Sequence, residues 1–238
     1  METKKNHKLK ILPVKNSSSK KQFPQIQEPL LQPPFTLAMV APTKSGKSTI
    51  IANMLKNCLM GYSDNVFSEI YYISPTIAFD KTLKSIYTDE EIIKITDEED
   101  LIHLDSILGE LIKSQKEKDE DEREHILVIL DDCLDYLKKS KKLDSLPSYS
   151  RHFKISIILT CQVYNLIGVK FRKNVSGLII GRIFNQKDII NIEEEIGCNF
   201  LDFKANYEKA TEEPFSFLFV DNREMKLYKN FETCLWAK

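Results

Sequence analysis

The segment at residues 41–49, APTKSGKST, most constrains the fold, because it stands between a strand pattern and a helix pattern. Residues 35–40 form a short apolar run of buried-strand length, and residues 50–60 carry apolar side chains at helical spacing. A loop of this composition between a strand and a helix is typical of phosphate-binding loops. The context therefore predicts an α/β fold that binds a nucleoside triphosphate.

The residue types in this loop suit phosphate binding. Backbone N–H groups at a helix N-terminus enclose the phosphates, and Gly46 lets the backbone approach them closely. We expect Lys47 to reach the β- and γ-phosphates and the Ser48 hydroxyl to bind Mg²⁺. Ala41 stands where the pattern usually has glycine, and it can make the turn if its φ stays negative. The residues predicted to bind ATP are Ala41, Pro42, Thr43, Lys44, Ser45, Gly46, Lys47, Ser48 and Thr49.

A second acidic element follows a fully apolar run. Residues 126–130 are five consecutive aliphatic side chains, and Asp131 and Asp132 come directly after them. Such a strand suits a parallel sheet covered on both faces, and its C-terminal end lies beside the phosphate loop. We therefore predict that Asp131 binds Mg²⁺ and that Asp132 is the general base for water. The alternative is that Asp132 caps the next helix.

A third strand is predicted at residues 154–160 and is followed by Cys161 and Gln162. Its end should reach the same edge of the sheet as the phosphate loop. Gln162 is therefore predicted to sense the γ-phosphate or to orient water. The alternative is an ordinary loop amide.

Four segments together resemble one known family. They are APTKSGKST at 41–49, EIYYISPT at 69–76, ILVILDDC at 126–133 and SRHFKISIILTCQ at 150–162. Their order is similar to that of viral genome-packaging ATPases of the FtsK-HerA superfamily, of the poxvirus-like type found in large DNA viruses and virophages. The likeness covers roughly residues 35–197, and the last segment is its most specific part.

The resemblance implies a RecA-like P-loop NTPase of the ASCE type. Such a fold has a central, mostly parallel sheet flanked by helices, with an extra strand between the Walker A and Walker B strands. It also implies an ATPase that uses ATP and Mg²⁺ to move double-stranded DNA into a preformed capsid. The implied partners are double-stranded DNA, further copies of the chain in a homo-oligomeric ring, and a capsid or portal vertex protein.

Ring ATPases of this kind complete their sites with an arginine from the neighbouring subunit. Arg172 resembles the family's basic position before its next strand, so it is the first prediction. Arg182 ends the strand predicted at residues 178–182, also at the catalytic edge, and is the second. Arg151 is the third, although it can instead fix the loop before the glutamine strand. A surface arginine paired with a carboxylate is the alternative for each.

The composition suits one α/β domain. The chain has 238 residues, 42% of them hydrophobic, and a formal net charge of -1. Residues 1–34 are lysine-rich at the start and proline-rich behind it, which predicts a basic, disordered arm and a linker. This arm can contact DNA phosphates or a capsid protein, or merely keep the chain in solution. The ATPase domain is predicted over residues 35–238.

Two further segments predict structural elements without a catalytic role. Residues 96–99, TDEE, form a capping box before a helix whose leucines at 101, 104, 108 and 111 share one face. Residues 215–220 and 225–228 predict a terminal hairpin.

Cysteines and histidines indicate no disulfide framework or metal cluster. The five cysteines lack paired spacing, and the four histidines are scattered. No apolar run reaches the ~20 residues that span a bilayer. We therefore expect an intracellular protein, in the host cytoplasm or a viral factory, with association with the virion left open.

Two other functions fit the phosphate loop. A P-loop kinase would need an acceptor pocket and an arginine-rich lid, which the sequence does not show. A non-motor ATP-binding switch would bind ATP without turnover, and it would not need the base at Asp132.

Overall fold

A computed structural model describes residues 26–56, 62, 66–137 and 140–238. Within these residues, nine strands form one sheet. The strands are β1 (Thr36–Val40), β2 (Glu69–Ile73), β3 (Ile92–Ile95), β4 (Ile126–Leu130), β5 (Ile155–Cys161), β6 (Gly177–Ile180), β7 (Leu218–Asp221), β8 (Lys226–Lys229) and β9 (Thr233–Ala237).

Helices connect most of these strands, and short 3₁₀ turns lie between them. The helices in the described residues are α1 (Lys47–Lys56), α2 (Lys84–Tyr87), α3 (Glu98–Ile102), α4 (Leu104–Glu117), α5 (Leu134–Leu137), α6 (Lys141–Phe153), α7 (Val169–Arg172), α8 (Gln186–Glu195) and α9 (Phe203–Ala210).

The strand order is β3-β2-β4-β5-β1-β6-β7-β8-β9. The first six strands in this order are parallel, and β7, β8 and β9 extend the sheet in antiparallel fashion. Strand β5 lies between β1, which carries the phosphate loop, and β4, which carries the two aspartates. This arrangement confirms the predicted α/β fold with a mostly parallel sheet and an extra central strand.

The central strands are apolar because both faces of the sheet are covered. Every residue of β1, β4 and β5 is buried. Along β1, Ala38 and Val40 point into one core, whereas Leu37 and Met39 point into the other. Helices α4, α6, α8 and α9 contribute to the first core, and α1 and α2 contribute to the second. A fully buried parallel sheet needs this continuous apolar pattern.

Residues 26–34 belong to the packed structure, although the sequence analysis assigns them to a linker. Ile26, Leu30 and Leu31 are buried in the second core. Arg223 also donates from its guanidinium to the Gln32 carbonyl oxygen at 2.7 Å. The domain therefore begins before residue 35, because three apolar side chains of the proline-rich segment pack on the sheet. The arm at residues 1–25 lies outside the described residues.

The predicted capping box at 96–99 is wrong in detail. Asp97 precedes α3, and its side chain makes no capping hydrogen bond. The helix then stops at Ile102 and restarts at Leu104 after His103, so two helices replace the single predicted one. The predicted apolar face is nevertheless correct, since all four leucines are buried in the first core. The predicted hairpin is confirmed as β7 and β8.

Candidate active site

The phosphate loop opens onto a cavity at the C-terminal edge of the parallel strands. The loop follows β1, and Asp131 and Asp132 follow β4. The cavity has a volume of about 700 Å³. It is lined by Thr43, Lys44, Ser45, Gly46, Lys47, Ser48, Thr49, Ile50, Thr76, Asp80, Thr82, Asp131, Asp132 and Phe215. The structure therefore brings the predicted Walker A and Walker B side chains to one place.

Two residues of the phosphate loop have a left-handed backbone conformation. Gly46 has a φ of 95°, and Lys44 has a φ of 61°. Helix α1 then begins at Lys47, so its first N–H groups face the loop cavity. The Lys47 ammonium donates to the carbonyl oxygens of Ala41 at 2.8 Å and Pro42 at 2.9 Å. Burial lowers the pKa of Lys47, and the carboxylates of the two aspartates oppose this shift.

Ala41 takes the place of glycine at the start of the loop, and a glycine just beyond the neighbouring strand β6 accommodates it. Ala41 is buried and is not among the positive-φ residues, which meets the condition set by the sequence. A Cβ on Gly181 would lie 2.7 Å from the Ala41 Cβ. The Gly181 backbone N–H also donates to the Val40 carbonyl at 3.0 Å. The alanine therefore fits because residue 181 has no side chain.

Asp131 is held by two hydroxyl groups. The Tyr72 hydroxyl donates to Oδ2 at 2.8 Å, and the Thr160 hydroxyl donates to Oδ1 at 2.6 Å. Asp131 is only 5% exposed, and burial raises its pKa against the opposing effect of these hydrogen bonds. The carboxylate is thus fixed in orientation by side chains on the two strands beside β4.

Asp132 adopts a different conformation from its neighbour. Its φ is 55°, in the left-handed region, and its backbone N–H donates to the Thr160 hydroxyl oxygen at 3.2 Å. A non-glycine residue in this region is uncommon and often marks a functional site. The turn directs the chain away from β4 while the side chain of Asp132 still lines the cavity.

The loop after β2 supplies an acidic residue that the sequence analysis missed. Asp80 accepts a hydrogen bond from the backbone N–H of Thr82 at 2.8 Å. Burial raises its pKa, but hydrogen bonding to the nearby Ser48 hydroxyl and to Thr82 outweighs this effect, so the pKa lies below its usual value. The sequence analysis noted segment 69–76, which contains the strand before this loop. No local sequence pattern indicated that the loop after the strand brings Asp80 close to Ser48.

These side chains fit a magnesium ion bound with a triphosphate. Ser48, Asp80, Asp131 and Asp132 all present oxygen atoms to one cavity, and hard oxygen ligands suit Mg²⁺. Within the described ranges, no group of three or more His, Cys, Asp or Glu side chains could hold a metal by itself. Mg²⁺ in triphosphate sites usually needs only one or two carboxylates, since phosphate oxygens and water complete its ligands.

Gln162 lies at the predicted edge but outside the cavity lining. It directly follows β5, and the Cys161 carbonyl before it accepts from the Ala41 N–H at 3.1 Å. Its backbone is thereby close to the start of the phosphate loop. The cavity wall does not include its side chain.

Arg172, the first choice for an arginine that reaches a neighbouring subunit, makes its contacts within its own chain. Its guanidinium forms a 2.9 Å ion pair with Glu195 of the same chain, and its side chain is only 9% exposed. It also lies 4.9 Å from the centre of the Tyr164 ring. An arginine finger projects from the surface, whereas the Arg172 side chain packs against Tyr164 and Glu195 of its own chain.

The other two arginines are exposed at opposite edges of the sheet. Arg182 follows Gly181 just beyond β6, next to the start of the phosphate loop. Arg151 lies in α6, which leads into the N-terminal end of β5 and so lies away from the cavity. Arg182 is therefore the exposed candidate at the catalytic edge.

Three comparisons relate this chain to known proteins. The family described as "Poxvirus A32 protein" matches residues 20–199. The DNA packaging protein OPG160 of Variola virus is 28% identical over 170 residues, which are 68% of this chain and 57% of the relative. The protein of the same name from Monkeypox virus is 27% identical over 171 residues, which are 68% of this chain and 52% of the relative. The chain thus spans little more than half the length of these relatives.

Solved structures share the fold at low sequence identity. The genome packaging NTPase B204 from Sulfolobus turreted icosahedral virus 2, in complex with ATP-gammaS, has a TM-score of 0.59 and 15% identity. That match covers 83% of this chain and 96% of B204. The conjugation coupling protein TcpA of pCW3 has a TM-score of 0.58 and 17% identity, over 84% of this chain and 61% of TcpA. These matches confirm the P-loop fold.

The family match covers more than half of the chain and includes the phosphate loop, the two aspartates and the glutamine strand. It therefore confirms the resemblance to poxvirus-like packaging ATPases that the four segments indicate. This chain belongs to the poxvirus A32 protein family.

Proposed function

We propose that this chain is an ATP-hydrolysing motor that translocates double-stranded viral DNA into a preformed capsid. The observation that carries the proposal is the convergence of Lys47, Ser48, Asp131 and Asp132 on one cavity at the edge of the sheet. Membership of a family whose relatives are named DNA packaging proteins supports the choice of substrate.

Lys47 has a defined part in this proposal. Its ammonium group contacts two loop carbonyls, which hold it over the loop where the phosphates would lie. When ATP binds, we expect the ammonium to contact the β- and γ-phosphates and to offset their negative charge. The N–H groups at the start of α1 would contact the phosphates from the other side.

Asp131 and Asp132 have different roles in this proposal. Ser48 and Asp131 would hold the magnesium ion, which bridges phosphate oxygens and neutralises developing charge when bound. Tyr72 and Thr160 keep the Asp131 carboxylate in one orientation. Asp132 would accept a proton from the attacking water, since its side chain lines the same cavity. Gln162 would orient that water or sense the γ-phosphate.

Assembly into a homo-oligomeric ring is part of the proposal. Arg182 is exposed beside the phosphate loop, so we propose it as the arginine that completes the site of a neighbouring subunit. A capsid or portal vertex protein would anchor the ring, and the lysine-rich segment at residues 1–25 would contact DNA or this partner. The proposed location is the host cytoplasm or a viral factory. Across the described parts of the chain, no helix has the length and apolar character needed to cross a membrane.

Steady-state ATP hydrolysis with and without long double-stranded DNA tests this function. The Lys47→Ala variant serves as the blank for contaminating ATPases. We expect DNA to raise the rate for wild type and to leave the blank unchanged. Hydrolysis that ignores DNA but increases with a phosphate acceptor would instead indicate a kinase, and ATP binding without turnover would indicate a switch.

Mixed subunits test the arginine. Arg182→Ala and Asp132→Asn should each be inactive alone, because one lacks the finger and the other lacks the base. If the finger acts between subunits, mixing the two variants should restore part of the activity, since some interfaces then combine an intact base with an intact arginine. An inactive mixture would remove Arg182 from the proposal.

A further inference from the structure

Phe215 is an exposed aromatic side chain at the mouth of the ATP cavity. It lies between α9 and β7, and it is 73% exposed although phenylalanine is usually buried. It lines the cavity together with the phosphate loop. A Cβ built on Gly46 would lie 3.7 Å from the Phe215 Cδ1, so the ring stands next to the loop backbone.

The backbone that presents this ring is strained. The Glu213 carbonyl accepts from the Ser216 N–H at 3.2 Å, which closes a four-residue turn with Pro214 second and Phe215 third. Phe215 has a φ of 63°. The third position of a turn with this φ normally has glycine or asparagine. A bulky residue in this conformation is uncommon, and strained backbone of this kind is concentrated at functional sites.

Neighbouring contacts hold the turn in place. The Ser216 hydroxyl donates to the Glu213 carbonyl at 2.7 Å, and the Glu213 carboxylate pairs with Lys229 at 3.2 Å. The Phe217 N–H donates to the Asn230 side-chain oxygen at 3.2 Å. The turn is therefore fixed to β8 and to the residue after it, and the ring position does not depend on burial of Phe215 itself.

The sheet order puts Phe215 on the side where the nucleoside of ATP should lie. The two aspartates follow β4, which is two strands from β1 on one side. Phe215 precedes β7, which is two strands from β1 on the other side. If the γ-phosphate lies beside the predicted magnesium ligands, we expect the nucleoside end of ATP to extend away from them, towards β6 and β7.

We propose that the Phe215 ring stacks on the base of the bound nucleotide and so supplies the affinity for the nucleoside part of ATP. This inference rests on the proposed ATP site. An aromatic face binds any planar base by stacking, which adds affinity but discriminates little between one base and another. Phe215 is thus a binding residue for the base, and the phosphate loop binds the phosphates separately.

Paired titrations of two probes separate these contributions. Isothermal titration calorimetry would measure the Kd of a non-hydrolysable Mg²⁺–ATP analogue, which has a base, and of Mg²⁺–tripolyphosphate, which has none. The main variant is Phe215→Asn, because asparagine tolerates the positive φ and the turn should remain intact. Phe215→Trp restores an aromatic face. Phe184→Asn is the matched control, since Phe184 is 81% exposed and lies outside the cavity lining.

We expect Phe215→Asn to weaken binding of the ATP analogue roughly 10-fold and to leave tripolyphosphate binding unchanged. Phe215→Trp should bind the analogue as well as wild type or better, and Phe184→Asn should match wild type with both probes. Equal binding of the analogue by Phe215→Asn and wild type would overturn the inference. Equal weakening of both probes would also overturn it, because the residue would then act on the loop. Failure of wild type to bind either probe would refute the ATP site itself.

Discussion

At the residue scale, two adjacent aspartates have different surroundings that suit different tasks. Asp131 accepts hydrogen bonds from Tyr72 and Thr160 and is almost completely buried. Asp132 lies beyond the strand with a positive φ and is partly exposed in the cavity. A fixed carboxylate suits a metal ligand, whereas an accessible one suits a base that must reach water.

Substitution of the base should separate binding from turnover. We expect Asp132→Asn to bind ATP as wild type does but to lose about 10²-fold or more in hydrolysis rate, because the amide cannot accept the proton from water. Lys47→Ala should instead weaken ATP binding itself. Equilibrium binding and single-turnover hydrolysis measure the two effects. A wild-type hydrolysis rate in Asp132→Asn would refute its assignment as base.

His125, the residue before β4, should make stability depend on pH. Burial, assisted by the positive charge of Lys154, lowers its pKa from 6.5 to about 4. Between about pH 6.5 and pH 4 the unfolded chain therefore binds a proton that the folded chain does not bind. His125 should thus lower the free energy of unfolding by roughly 3 kcal/mol as the pH falls through this window.

Urea unfolding at several pH values tests this effect. The variant His125→Gln should show a smaller loss of stability between pH 6.5 and pH 4 than wild type, and His152→Gln is the exposed control. The same pH slope in His125→Gln and wild type would contradict the prediction.

The contact between Ala41 and Gly181 should appear as coupling between two substitutions. Gly181→Ala places a Cβ 2.7 Å from that of Ala41, so we expect a loss of about 1–3 kcal/mol in stability. Ala41→Gly removes the opposing methyl group, and the double variant should recover part of the loss. A double-mutant cycle by urea denaturation measures the coupling. Strictly additive effects would show that the two residues do not interact.

At the element scale, helices α7 and α8 are joined by the ion pair of Arg172 and Glu195 and by the Tyr164 ring under the guanidinium. The Tyr164 hydroxyl also donates to the Glu195 carboxylate at 3.0 Å. This cluster fixes the segment after the glutamine strand to the helix that follows β6. Arg172 therefore has a structural role in its own chain.

Removal of this arginine should cost stability. We expect Arg172→Ala to lower the free energy of unfolding by about 1–3 kcal/mol, because it leaves Glu195 without its cation. The exposed control Arg182→Ala should change stability by less than about 0.5 kcal/mol. Chemical denaturation compares the two. If Arg172→Ala were as stable as wild type, and if mixing with Asp132→Asn restored its activity, Arg172 would be the finger after all.

The sequence predicts elements best where burial dictates composition. All residues of strands β1, β4 and β5 are buried, so a run of apolar residues was enough to predict each of these strands. The break at His103 was not predictable, because the leucine spacing continues through it. Strand β9 was also missed, since its residues are only partly buried at the sheet edge and carry no strong pattern.

The candidate site was predictable only where it is local in sequence. The phosphate loop and the two aspartates occur in contiguous motifs, and the structure brings them together. Asp80 and Phe215 reach the same cavity from loops whose path depends on the whole sheet. The intrachain contacts of Arg172 were not predictable for a similar reason, because they depend on the position of α8, 14 residues or more along the chain.

At the scale of the whole molecule, the sheet places two groups of cavity residues on opposite sides of the phosphate loop. The strand order places the acidic residues on one side of β1 and the Phe215 turn on the other. The exposed Arg182 lies on the same edge of the sheet. A site with this open edge can receive a residue from a second subunit, which is what a ring motor requires.

The measurement that tests the central claim most directly is displacement of a third strand from a long DNA duplex. A motor that moves along double-stranded DNA strips such a strand only while it hydrolyses ATP. We predict displacement by wild type with ATP, and none with Asp132→Asn or with a non-hydrolysable analogue. ATP hydrolysis by wild type on the same DNA without displacement would contradict the account, because the chain would then be an ATPase that does not translocate.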